Sequence, residues 1–263
     1  MRSGRRIIAV RRTERFSPNS VENDRAILQA VIDRLGGDIP MIDEERLTTA
    51  TTADVFLSMG RLPRTTALLR EQEASGAIVI NRSVGVENCV RSRLDALMRA
   101  ENYPMPPLTS RSGYWLKRGD AAAECADDVV FCRDETALEI ARRSFADRGV
   151  VDVVVSSNVE GDLVKFYAVS GGFFRYYYPS DDGQFKFAVE RHNGPAHHYA
   201  FDVDRLQRIV DRLAHCIEID VYGGDVIIDA NGQMYIIDFN DWPSFSRCRD
   251  AAAEAIVNDL STK

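Results

Sequence analysis

Two aspartates and an asparagine, Asp225, Asp238 and Asn240, are spaced so that one β-hairpin would gather them around a hard cation. The strand-like runs Val226–Ile228 and Met234–Ile237 flank Asn231-Gly232, a strong short-range hairpin signal. A loop centred there sets Asp225 opposite Asp238, and period-two alternation brings Asn240 to the same face. Opposed carboxylates repel unless a cation lies between them. Two carboxylates and an amide suit Mg²⁺ completed by phosphate and water. Solvated acids on a surface hairpin are the competing reading. The acids here interrupt apolar runs instead of decorating a polar face, which favours the metal.

Three cations have the context to complement such a centre. Lys117 ends the apolar run Tyr-Trp-Leu-Lys, where burying an ammonium is costly without an anionic partner. A strand-end lysine lying along apolar surface is its plain alternative. Lys165 alternates with apolar residues in Leu163–Tyr167, and Arg175 sits in an aromatic run where its guanidinium would grip phosphate or carboxylate bidentately. For both, an ordinary cross-strand charge is the competing reading.

The elements that would position these residues alternate strand and helix over the first hundred residues. Strand-like runs fall at 6–10, 54–57 and 77–80, and helical patterns at 21–35, 65–73 and 86–100. That order favours a small parallel sheet covered by helices. Ser17–Ser20 reads as a helix-capping loop or as a loop facing the cleft. The segment Tyr-Pro-Met-Pro-Pro-Leu at 103–108 is the clearest breaker and marks a domain boundary. Beyond it come strands at 113–117 and 128–131, a helix at 135–145 and a strand at 150–155. Gly161-Asp162 is expected to turn a hairpin into 163–169, followed by an aromatic strand at 173–178. Leu206, Ile209, Val210 and Leu213 make 203–217 a helix capped by Asp202 or Asp204, and a last helical run covers 247–260.

The hairpin resembles the C-terminal signature of the ATP-grasp superfamily, in which an acidic residue and an acid-x-Asn pair hold Mg²⁺ bridging the phosphates of ATP. Asp225, Asp238 and Asn240 match those ligands, and Gly223-Gly224 matches the tight approach to the first strand. The resemblance implies an α/β (α+β) fold. In it a small Rossmann-like parallel sheet at 1–102 precedes an ATP-grasp region at 103–263, with a lid at about 108–158 and a metal-binding part at about 159–263. It implies ATP and Mg²⁺ (or Mn²⁺) as cofactors, Lys117 on the nucleotide phosphates, and Lys165 and Arg175 on nucleotide or substrate. Val155, Asn158 and Glu160 fall in the hinge that reads adenine and ribose, and Trp242-Pro243-Ser244 in the acceptor loop.

Activities implied are a ligase activating a small-molecule or peptide carboxylate for attack by an amine, a small-molecule kinase of the inositol-phosphate type, or a nucleotide-binding protein without turnover. Carboxylate–amine ligases more often carry Glu where this chain has Asp238. The family's glycine-rich lid loop and second lysine are also missing from Arg118–Cys125. Arg118 or Arg93 would supply that charge, unless ATP is held less firmly or activity is lost.

Composition narrows the classes. At 263 residues, 45% hydrophobic and 28% charged, the chain is that of an ordinary globular protein. A net charge of −7 argues against a nucleic-acid binder. The basic start has too short an apolar run for a signal peptide, and no run is long enough for a membrane span. Five scattered cysteines without a CxxC pair read as reduced thiols in a cytoplasmic protein. His192, His197 and His198, beside Arg191, lack the spacing of a zinc site. A homodimer stays open.

Overall fold

The computed structural model describes residues 4–109, 111–121, 125–183 and 192–263. β1 (Ile7–Arg11) leads into α1 (Val21–Leu35), which turns Ile27, Leu28, Val31 and Ile32 into the core. β2 (Met41–Asp43), β3 (Val55–Ser58), α2 (Pro63–Ala74) and β4 (Ile78–Ile80) follow. The four strands are parallel in the order β2-β1-β3-β4, the sheet expected from the alternation. The chain leaves β1 for one neighbour and later crosses to the other. β1 and β3 therefore flank a switch point whose carboxyl ends open onto a crevice. β2, only three half-buried residues long, has no periodicity to betray it in the sequence.

The single helix expected at 86–100 is two. α3 (Ser83–Asn88) ends before Cys89, and an extended Val90 starts α4 (Arg91–Ala100). Gly85 presses α3 so closely against the chain at Glu218 that a Cβ would lie 2.2 Å from that carbonyl oxygen. α4 then points Leu94 and Met98 inward and puts Arg91 at its first turn.

β5 (Tyr114–Arg118), β6 (Val129–Cys132) and β7 (Val153–Ser157) form an antiparallel sheet in the order β6-β5-β7, covered by α5 (Glu135–Asp147). The core beneath α5 is small: Tyr114, Leu116, Cys132, Phe145 and Val150. The hairpin expected around Gly161 is absent. β8 (Asp162–Val169) pairs with β9 (Phe173–Tyr177) and with a later strand, so residues 158–161 carry the chain from one sheet to another. Gly161 holds φ at +158°, and a Cβ there would meet the Ile228 carbonyl at 2.3 Å.

After α6 (Pro179–Asp182), α7 (Val203–Ile217) is capped by Asp202, whose Oδ1 accepts from Arg205 N at 2.8 Å. β10 (Val221–Ile228), β11 (Met234–Asp241) and α8 (Arg249–Ser261) complete the chain. The antiparallel sheet β11-β10-β8-β9 has two different faces. Val164, Phe166, Val226 and Ile236 pack on Leu206, Val210 and Leu213 of α7. Val169 and Val221 join Trp242, Phe245, α8 and the first sheet in a second core.

Asn81, fully buried, stitches the two sheets together. Its Oδ1 accepts from Val221 N at 2.7 Å and Asp220 N at 3.0 Å, while its Nδ2 donates to Val221 O at 2.7 Å. Among the described residues no helix is long and apolar enough to cross a membrane. Asn81→Ala strands two backbone donors, so urea denaturation should show a loss of about 2–4 kcal/mol; an unchanged midpoint would mean the stitch carries no stability.

Candidate active site

The hairpin brings Asp225 opposite Asp238 by a different route from the one the turn alone suggests. Its loop spans five residues, closed by Asp229 Oδ1 accepting from Asn231 N and Gln233 N, each at 2.9 Å. That loop pairs Ile228 with Met234 and Val226 with Ile236. A bulge at Ile237 then shifts the ladder, so that Asp225 faces Asp238 and Gly223 faces Asn240. Without the extra residue Asp225 and Asp238 would lie on opposite faces of the sheet. The Ile237 carbonyl accepts a hydrogen bond from Lys117 Nζ at 2.8 Å. One bulge thus aligns the acids and receives the cation from β5.

Gly223 and Gly224 are demanded by packing. A Cβ on Gly224 would lie 2.2 Å from the Asp238 carbonyl oxygen and 2.7 Å from the Phe166 ring. One on Gly223 would meet the Phe166 carbonyl at 2.7 Å and Pro243 at 2.9 Å, because the loop after β11 folds over the strand.

Charges on this face balance one another. Lys165 stands opposite Asp225 in the ladder, with Nζ 2.9 Å from Oδ1. Asn240 Nδ2 donates to Asp238 Oδ2 at 2.9 Å, and Arg91 lies 3.9 Å from Oδ1. Burial pushes the Asp238 carboxyl up, but Arg91, Lys117 and Asn240 outweigh it and hold the group below its ordinary 3.8. Lys117 is driven the other way: desolvation lowers its pKa despite the pull of Asp238. Two carboxylates and an amide make an oxygen-only donor set, which fits a hard divalent cation. Among the described residues no group of three or more His, Cys, Asp or Glu side chains is arranged to hold a metal. His192 packs on Trp115 and Phe131, and His197 takes Asp162 as partner, so neither collects ligands. Arg191 lies outside the described residues.

Beside the hairpin runs a cavity of about 770 Å³. That is within the range of about 300–1,000 Å³ usual for small-molecule sites. Its walls include Asp238 and Asn240 of β11, Lys117 and Arg118 of β5, Val154 and Ser156 of β7, and Arg91 of α4; Arg15, Phe16, Arg61 and Pro63 close it from the first sheet. Asp225 and Lys165 lie farther into the sheet and do not line it.

Other expected site residues fall elsewhere. Arg175 is exposed on β9, donates to the Phe174 carbonyl at 2.7 Å and covers the Phe173 ring, away from the cavity. The aromatic run in which an oxyanion grip was expected instead holds it at the sheet edge. Asn158 is tied to β5, with Oδ1 accepting from Trp115 Nε1 at 2.9 Å; Glu160 is exposed. The Val155 side chain packs in the core under α5. Its strand, however, stands at the edge of its sheet, where Ser157 N donates to the Pro107 carbonyl at 3.0 Å.

Arg93 and Arg118, expected to supply the missing charge, both line the cavity, as does Arg91, which lies 3.9 Å from Asp238 Oδ1. Arg93 points toward Glu87 at 3.8 Å, and Arg118 binds Asp120 at 2.6 Å. The helix break at Cys89-Val90 aims Arg91, and no periodicity in the sequence exposes that break. A cue for the lysines was there: Lys117, Lys165, Lys186 and Lys263 are the only lysines among 33 basic residues, and two of them sit at this site. The lid loop expected to cover phosphates lies partly outside the described residues, at 122–124.

No family model and no curated protein matches this chain in sequence. Solved structures do match in shape. D-alanyl-alanine synthetase A from Vibrio cholerae superposes with a TM-score of 0.69 at 11% identity, over 97% of each chain. A RimK domain ATP-grasp protein from Sphaerobacter thermophilus gives 0.67 at 14% identity, over 97% of this chain and 98% of its own. D-cycloserine synthetase DcsG gives 0.62 at 15% identity, over 97% and 99%. Likeness over nearly the whole of both chains, at so low an identity, is likeness of fold.

Gly224→Ala should cost about 1–3 kcal/mol, the usual scale of overpacking a close contact. Thermal denaturation checks this. A variant as stable as wild type would show that the hairpin does not need the close approach.

Proposed function

We propose, from the ATP-grasp fold of this chain, that it is an ATP-dependent ligase that activates a carboxylate for attack by an amine. The observation that carries the reading is the bulged hairpin, which sets two carboxylates and an amide on one face beside a cavity of nucleotide size. Asp225, Asp238 and Asn240 would hold Mg²⁺, which supplies charge neutralisation across the phosphates. Support for that ion comes from the likeness to the ATP-grasp ligase PsnB, one of whose structures contains Mg and ADP.

The chain's own residues would act by position and charge. Lys117 and Arg91, both on the cavity wall, face the transferring phosphoryl group, and Lys165 keeps Asp225 in place. The γ-phosphoryl moves from ATP to a substrate carboxylate oxygen, giving ADP and an acylphosphate. An amine then attacks the carbonyl carbon and expels orthophosphate with loss of a proton. No protein nucleophile is required; preorganised charge is the catalyst. The edge of β7 offers backbone groups to the adenine. Neighbours named as D-alanyl-alanine and D-cycloserine synthetases support a small acceptor.

Asp238, where carboxylate–amine ligases commonly have Glu, favours a small-molecule kinase as the second reading. One assay separates the two. The protein is incubated with Mg·ATP and a pooled metabolite extract, and ADP, orthophosphate and new masses are followed. A ligase gives ADP with equal orthophosphate and a condensed product; a kinase gives ADP and a phosphorylated product. Tight Mg·ATP binding without either product leaves only a binding role. Asp238→Ala should lower turnover by roughly 10²–10³-fold, the scale of removing one preorganised electrostatic group. An unchanged rate would overturn the assignment. Chelation with EDTA should stop turnover, and added Mg²⁺ should restore it.

A further inference from the structure

The geometry points to an acceptor that carries a second anionic group, remote from the one that reacts, with Arg15 as its receptor; this inference rests on the ligase reading. Arg15 and Phe16 follow β1, and Arg61 and Pro63 follow β3, so they flank the switch point of the parallel sheet, where such folds take ligands. All four line the same cavity as Asp238 and Lys117, but on the wall built by the first sheet. The acceptor therefore spans from the phosphoryl end of the cavity to this crevice.

The other cations on the cavity wall are engaged. Arg61 binds Asp241 at 2.6 Å, Arg118 binds Asp120 at 2.6 Å, and Arg93 faces Glu87 at 3.8 Å. Arg91 donates to the Arg118 carbonyl at 2.6 Å, and Lys117 to that of Ile237 at 2.8 Å. Among the described residues Arg15 has neither a carboxylate nor a carbonyl partner. Its guanidinium lies over the Phe16 ring, 4.8 Å from the centroid, which restrains its direction and leaves its N–H fork open.

The crevice is also preorganised. Glu44, 2% exposed, accepts from Thr13 N at 2.6 Å and from Arg61 N and Leu62 N at 2.8 Å each. One buried carboxylate thereby clamps the loops after β1 and β3 together. The clamp fixes the backbone that carries Arg15 relative to the rest of the crevice before any ligand arrives, while the Phe16 ring restrains the exposed side chain. With the loop already ordered, less affinity is spent when the anion binds. Carboxylate and phosphate both match the guanidinium fork.

The test uses the full chain with saturating Mg·ATP and matched acids: pentanoate with one charge, glutarate with a distal carboxylate, and 4-phosphonobutyrate with a distal phosphonate. Thermal shift and ADP release are read for wild type, Arg15→Gln and Arg15→Lys. Wild type should prefer at least one doubly charged acid to pentanoate. Arg15→Gln should remove that preference by raising KM roughly tenfold or more with kcat little changed, the scale of losing a charged hydrogen bond. Arg15→Lys should restore part of it. The better of the two distal groups identifies the anion. Equal response to all three acids, or a preference that survives Arg15→Gln, overturns the inference while Mg·ATP still stabilises the protein. If Mg·ATP itself gives no thermal shift, the ligase reading falls and takes this inference with it.

Discussion

Two like charges facing each other across a β-ladder set the terms for the rest of this molecule. Asp225 and Asp238 sit directly opposite, an arrangement that destabilises a sheet unless positive charge is supplied. The protein supplies it from three directions: Lys165 from the next strand, Lys117 from the small antiparallel sheet, and Arg91 from the first turn of α4. Burial lowers the Lys117 pKa even though Asp238 pulls it up, while Arg91, Lys117 and Asn240 together outweigh burial and lower that of Asp238. On the proposed reading, such a centre would take a divalent cation and an anionic ligand together. Either alone would leave one sign of charge in excess.

Precision at this centre depends on parts that do no chemistry. The bulge at Ile237 chooses the face on which Asp238 appears, and the missing side chains of Gly223 and Gly224 let Phe166 and Pro243 close around it. Asn81 bonds β10 to the end of the first sheet, Trp242 Nε1 donates to the Ile80 carbonyl at 3.1 Å, and Arg61 grips Asp241. The carboxyl end of the hairpin and the switch point of the parallel sheet are therefore one rigid neighbourhood. A ligand reaching from Asp238 to the crevice crosses no loose joint among those contacts.

Much of the fold was legible because its elements obey simple periods. α1 and α7 run over the residues their apolar stripes mark, and the parallel sheet follows from alternation of strand and helix. What escaped the sequence is what tertiary contact decides. β2 is too short to carry a pattern, and the break between α3 and α4 before Arg91 interrupts a run whose periodicity reads as one helix. The chain crossing at 158–161 looks locally like a hairpin, because Gly161 signals a turn without saying which sheet receives the next strand. At the site, residue type was informative where chemistry forces it: opposed carboxylates, and scarce lysines in apolar strands. It was uninformative at Arg175 and Asn158, since an arginine on a sheet edge and an asparagine bonded to a tryptophan have the same composition as ligand contacts.

The most direct test is a crystal structure of the protein with Mg²⁺ and a non-hydrolysable ATP analogue. A metal ion is expected about 2.0–2.1 Å from carboxylate oxygens of the hairpin, the spacing Mg²⁺ demands. Asp238 would turn from Arg91 toward the ion, and Lys117 from the Ile237 carbonyl toward the phosphates. A nucleotide bound elsewhere, or one bound here with Asp225 and Asp238 still held by Lys165 and Arg91 and no metal between them, would contradict it.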